Sequence, residues 1–104
     1  MTDDNQFLYK IKPTRLAMLT EGPTAQEEAA LSQHFNYLQK LIEGGIVIMA
    51  GRTQTANMDT FGIVILRADD KAAAHKLMLS DPAVAQGVMH ATLYPFRIAL
   101  PISG

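Results

Sequence analysis

Two stretches, IVIMAG (Ile46–Gly51) and FGIVILRA (Phe61–Ala68), constrain this chain more than any other part of it. Each is apolar at successive positions and rich in β-branched residues, which reads as a strand. Side chains alternate between the two faces of a strand, so these strands are apolar on both faces. Between them lies RTQTANMD, polar turn material, and two antiparallel strands joined by a loop of this length make a hairpin. Whatever the fold, it must cover that hairpin on two sides.

The flanking segments say what covers one side. FLYKIK (Phe7–Lys12) sets Phe7, Tyr9 and Ile11 against Leu8, Lys10 and Lys12, a period of two that predicts a strand ending at Pro13. TRLAMLTEGP follows as an extended connection, closed by a turn at Gly22-Pro23. Thr24 and Glu27 have capping-box spacing, and Gly44-Gly45 stop the helix that this box begins. After the hairpin, Asp69 or Asp70 caps a helix through KAAAHKLML. Asp81-Pro82 opens a further short helical turn, stopped at Gly87. VMHATLYPFRIAL (Val88–Leu100) reads as the last strand, and Pro95 within it argues for a sheet edge.

The order β-α-β-β-α-β predicts an α+β ferredoxin-like sandwich, with two helices on one face of a four-stranded antiparallel sheet. The other face then needs a cover. Leaving it in water forgoes about 25 cal/mol for each Å² of apolar area, and a second copy packed sheet to sheet, a homodimer, is the simplest remedy. Lys10 and Lys12 make one wall of such an interface polar. The 104 residues suit a single domain spanning 1–104, with residues 1–6 as a tail. A net charge of -1 offers no field for nucleic acid or anionic membrane. No apolar run reaches the roughly 20 residues of a membrane helix, and MTDDNQ is no signal peptide, so a cytoplasmic location is expected. With no cysteine, the chain has no disulfide, thiol nucleophile or zinc-thiolate site.

Along the first long helix Leu31, His34, Phe35, Leu38, Leu41 and Ile42 recur at spacings of three and four, the pattern of one packed face. His34 interrupts that stripe. Its imidazole must turn toward the sheet or a cleft beside it, and its ring N–H needs a partner there. A backbone carbonyl is one possible partner. Asp81, ahead of the last strand and within reach if the two helices lie side by side, is the carboxylate candidate. Asp81 also suits an N-cap, and a carboxylate has acceptor sites for both roles. His75 belongs on a solvated face and His90 in strand packing. The spacing of the three histidines matches no metal motif, and neither a serine triad nor a phosphate loop is present. Neither metal nor cofactor is expected. Arg52 could bind an anionic substrate, and Arg52 or Tyr94 could orient one.

QHFNYLQKLIEGG, VIMAG, SDPAVAQGV and LYPFRI, in this order, resemble the YciI-related family of small proteins, from Phe7 to about Ile98. The resemblance implies a ferredoxin-like subunit of the dimeric α+β barrel type, with a His-Asp pair in a cleft at His34 and Asp81. It also implies enzymes acting on small molecules, one relative being regarded as a dehydrochlorinase of a hydroxylated aromatic. This chain departs from the family pattern in Arg52, where many members carry proline, in a short hairpin loop, and in TRLAMLTEGPT before the helix. The chemistry left to a His-Asp pair is proton transfer of lyase, isomerase or hydrolase type. The alternative is a ligand-binding or accessory dimer whose His-Asp pair is structural.

Overall fold

In a computed structural model, residues 5–101 are described. The elements are β1 (Gln6–Pro13), α1 (Ala17–Thr20), α2 (Ala25–Glu43), β2 (Val47–Arg52), β3 (Gly62–Arg67), α3 (Lys71–Leu79), α4 (Pro82–Ala85) and β4 (Met89–Phe96). The strands form one antiparallel sheet in the order β2-β3-β1-β4. This is the ferredoxin-like α+β fold, and β4, with Pro95, lies at an edge as the proline requires.

The helix boundaries follow from local chemistry. Thr24 accepts from the Glu27 amide at 3.1 Å while the Glu27 carboxylate accepts from the Thr24 amide at 2.8 Å, so α2 begins with a complete capping box. Arg15 adds a two-pronged bond to the same carboxylate, at 2.6 and 2.9 Å, and holds it well below its ordinary value, at about 2. Gly45 takes φ +76 after α2, a backbone that glycine adopts without strain. Asp70 caps α3 through the Ala73 amide at 2.8 Å.

Phe7, Tyr9 and Ile11 of β1 point toward the helices and meet Leu38, Val64, Leu66, Ala74 and Met78 in the core. A satellite cluster of Met18, Ala30 and Val88 closes one end. Sequence and structure part in several places. The TRLAMLTEGP segment is not extended throughout: it makes α1, which buries Met18. The last strand stops at Phe96, and β1 starts at Gln6, inside the expected tail. The rest of that tail, residues 1–4, lies outside the described residues, and Asn5 bonds the Asp69 carbonyl at 2.6 Å. Phe35 is 67% exposed and Ile42 48%, so the packed stripe of α2 is narrower than its spacing suggests. His90 is exposed on the open face of the sheet rather than packed.

One irregularity redirects a whole strand. Val47 pairs with Leu66 and Met49 with Ile65, so Ile48 is an extra residue in β2. A one-residue shift exchanges the faces of every later side chain. Ala50 and Arg52, not Met49 and Gly51, therefore share the helix-side face with Val64 and Gly62. The opposite face carries Leu8, Lys10, Ile63, Ile65, Met49 and Tyr94, and no helix among the described residues covers it.

Candidate active site

His34 sits midway along α2, one turn before Leu38, and its ring reaches Asp81 at the start of α4. His34 Nδ1 lies 2.7 Å from each carboxylate oxygen of Asp81. Asp81 has no exposed surface, while the His34 side chain keeps 15%. Two further donors converge on the same carboxylate. The Tyr9 hydroxyl donates to Oδ2 at 2.8 Å, and the Ala83 amide donates to Oδ1 at 3.0 Å. A carboxylate taken out of water needs such donors, and here three of its roughly four acceptor sites are used. Asp81 thus serves as N-cap of α4 and as partner of His34 at once, helped by Pro82 at the first helical position.

Tyr9 is the member of this group that the sequence pattern did not single out. Its alternation placed it in the core, and a buried tyrosine usually finds a partner for its hydroxyl. That rule was the available signal. Burial first, and the Asp81 charge second, raise the Tyr9 phenol far above its ordinary range. The protonated phenol is the donor to Asp81. Tyr37 is raised by the same two causes, and its hydroxyl donates to the Leu77 carbonyl at 2.6 Å, tying α2 to α3. Gln86 donates to Gln33 at 2.7 Å and ties α2 to α4.

With Nδ1 held by Asp81, Nε2 is the free nitrogen of the His34 ring. No buried side-chain nitrogen or oxygen among the described residues lacks a partner, so Nε2 is reached by solvent. The ring lines a cavity of about 820 Å³ between α2, α1 and the helix-side face of the sheet. Phe35, Leu38 and Ile42 of α2, Met18 and Leu19 of α1, and Ile11, Phe61 and Val64 make most of its wall apolar. Arg52, Gln39 and Thr60 are its other polar members. Gly62 forms part of the floor, and a Cβ there would come within 3.1 Å of Ile11 Cγ1 and 3.2 Å of the Gly51 carbonyl oxygen.

The structure therefore brings together His34, Asp81 and, along the same cavity, Arg52. It does not bring Tyr94 to them. Tyr94 pairs with Leu8 on the open face of the sheet, the side away from α2. His75 is exposed on α3, as its surroundings suggested. Among the described residues no group of three or more His, Cys, Asp or Glu could hold a metal ion. Nor is any described helix long and apolar enough to cross a membrane.

Comparison with known proteins agrees with this architecture. The YCII-related domain family matches over residues 7–97. A 5-chloro-2-hydroxyhydroquinone dehydrochlorinase from Burkholderia phenoliruptrix, solved with 2,5-dihydroxybenzoquinone, superposes with a TM-score of 0.65 at 19% identity, covering 88% of this chain and 93% of that one. An uncharacterized protein from Thermotoga maritima superposes with a TM-score of 0.55 at 13% identity, covering 90% of this chain and 98% of the other. Among curated proteins none matches the sequence. At such identities the likeness shows the fold alone, a ferredoxin-like α+β sandwich.

Proposed function

The chain belongs to the YCII-related domain family, and from that premise we propose that it is a small enzyme whose His34 moves protons to and from a small organic molecule. The observation that carries this reading is one imidazole clamped at Nδ1 by a buried carboxylate while its ring faces an 820 Å³ cavity. The Nδ1–H tautomer donates to Asp81 and leaves the Nε2 lone pair for a substrate proton. When Nε2 takes that proton, the imidazolium faces the Asp81 carboxylate, which stabilises the new charge and holds the ring for the return step. Asp81 touches no substrate in this scheme; it is a positioning residue. Positioned acid/base catalysis of this kind contributes about 10²–10⁴-fold in rate. Lyase, isomerase and hydrolase reactions all have steps that such a transfer assists.

The dehydrochlorinase of similar fold, with a dihydroxybenzoquinone bound, supports a compact unsaturated ring as the first class to try. The test follows proton exchange and elimination by NMR in deuterated buffer, over a panel of hydroxylated and halogenated aromatics. His34→Ala and Asp81→Asn are expected to remain folded and to lower any turnover by about 10²–10⁴-fold. If His34→Ala binds panel members as well as wild type and no turnover is lost, the chain is a binding module and the dyad a structural pin. The complete burial of Asp81 and its bond to Tyr9 favour at least a structural share.

In the same reading the working unit is a homodimer that covers the open sheet face. Support comes from Leu8, Ile63, Ile65 and Met49 on that face, with Tyr94 at 45% and Phe96 at 38% exposure beside them. Sedimentation analysis is expected to give twice the chain mass, and a monomer at all concentrations overturns this part.

A further inference from the structure

The cavity is apolar along most of its wall but not electrically neutral. Among the described residues that line it, Arg52 is the one carrying a permanent charge, and no aspartate or glutamate is among them. Other cations near the site are committed elsewhere. Arg15 is bonded to Glu27, and Lys10 and Lys12 lie on the open face, over the Phe61 ring and on the Met58 carbonyl. Among the described residues Arg52 has no bonded partner, and it is exposed at the end of β2. Its presence on the cavity side is a product of the bulge at Ile48, which turned it inward.

Register places it relative to the dyad. Ile11, Gly62 and Arg52 form one row across three strands, on the helix-side face. Neighbouring strands lie about 4.8 Å apart, so the Arg52 backbone is about 10 Å from that of Ile11. Tyr9, which shares Asp81 with His34, is the next residue on the same face of β1. Arg52 and His34 line the same cavity, whose wall also includes Phe35, Leu38, Val64 and the Gln39 side chain. Gly62 lies between Arg52 and Ile11 in the row, and Ile11 packs over it, within 3.1 Å of where a Cβ would stand.

We infer that the ligand of this cavity is an amphipathic monoanion: a carboxylate, held in a two-pronged bond by the Arg52 guanidinium, on an apolar ring body that extends toward the His34 ring. Guanidinium geometry matches a carboxylate, and an apolar wall accepts the rest of the molecule without leaving polar groups unpaired. This rests on reading the His34 cavity as a ligand site, and it adds the chemical class of the ligand and the residue that selects it.

The test compares 2-naphthoate with 2-naphthalenemethanol, ring-matched probes that differ in charge, by titration calorimetry on the full chain. Wild type is expected to bind the carboxylate about tenfold more tightly, with affinity falling as salt rises. Arg52→Gln is expected to abolish the preference, and Arg52→Lys, which keeps the charge, to retain part of it. Equal binding of the two probes, a preference that survives Arg52→Gln, or no binding of either at millimolar concentration overturns the inference. NMR of the His34 ring during the same titration separates this from the catalytic reading. A charge preference that depends on Arg52 with His34 signals unmoved overturns the placement of the ring toward His34, whereas failure of the proton-transfer reading alone leaves both the preference and the His34 shift in place.

Discussion

Replacing Tyr9 by phenylalanine removes one hydroxyl and little else, so it isolates the bond that ties β1 to Asp81. The bond is 2.8 Å long, Tyr9 is 1% exposed and its acceptor is fully buried. A hydrogen bond to a charged group contributes about 1.5–3 kcal/mol. Asp81 keeps two donors afterwards, His34 and the Ala83 amide, so the loss is expected within that range rather than at the cost of an unpaired buried charge. For a chain of this size that is on the order of 10 °C in Tm. The pH dependence gives a second, independent reading. Tyr9 is raised in the fold above its ordinary 10.0. Above that value the unfolded chain has released the proton and the folded chain retains it, so the unfolded state binds fewer protons and stability falls as pH rises. The contribution is fully present below 10.0 and is lost above it. Tyr9→Phe lacks that proton, so the gap between the proteins is expected to narrow by about 1.4 kcal/mol per pH unit on the alkaline side. Tyr37 titrates in both proteins and cancels in the difference. Urea unfolding at neutral pH and again in the alkaline range measures both effects. A variant within about 0.5 kcal/mol of wild type at neutral pH, or a gap that stays constant as pH rises, refutes the assignment.

Two other outcomes follow from the same geometry. Glu27 is held at about 2 by Arg15 and Thr24, against an ordinary 4.5, so its contribution is present above 4.5 and lost as pH falls toward 2. Glu27→Gln is expected to flatten the acid limb of the stability curve in that window, as read by circular dichroism. Gly62→Ala puts a methyl group against Ile11 and the Gly51 carbonyl oxygen, at 3.1 and 3.2 Å, and backbone gives way poorly. Chemical denaturation is expected to show a loss of about 1 kcal/mol or more, where an ordinary strand glycine would gain from alanine.

The fold was legible because each element announced itself by period or cap. Thr24 and Glu27, Asp70, Asp81-Pro82 and the glycines after α2 and α4 all do what their residue types do alone. His34 was legible because a titratable ring in an apolar stripe has to find a partner. Three things were not legible, for separate reasons. Met18 carries the α1 turn into the core, and the apolar run Leu16–Leu19 is about one turn long, too short to show a helical period. Phe35 and Ile42 satisfy helical spacing yet stay exposed, because spacing cannot tell the wall of a cavity from the surface of a core. Arg52 was a candidate by residue type, but its inward direction depended on the bulge at Ile48, since strict alternation from Val47 would have turned Gly51 toward the helices instead. Tyr94 failed in a related way: it lies on the same chain as the site but on the wrong face of an edge strand.

Asp81 and His34 form one pair, yet their removal should not be equivalent. Asp81→Ala takes away the N-cap of α4, about 1 kcal/mol. It also leaves the Tyr9 hydroxyl unpaired in the core, about 1–3 kcal/mol more. The sum is a substantial part of the 5–15 kcal/mol typical of a whole domain. His34→Ala removes a ring that already opens on the cavity, and Asp81 keeps the Tyr9 and Ala83 donors while water enters the vacated space. The expected order of destabilisation is therefore Asp81→Ala well above His34→Ala, with Asp81→Asn between them because one oxygen remains for the Ala83 amide. Differential scanning calorimetry on the three variants measures the order directly. If His34→Ala costs as much as Asp81→Ala, the carboxylate is not the hub, and the histidine holds the fold in its own right.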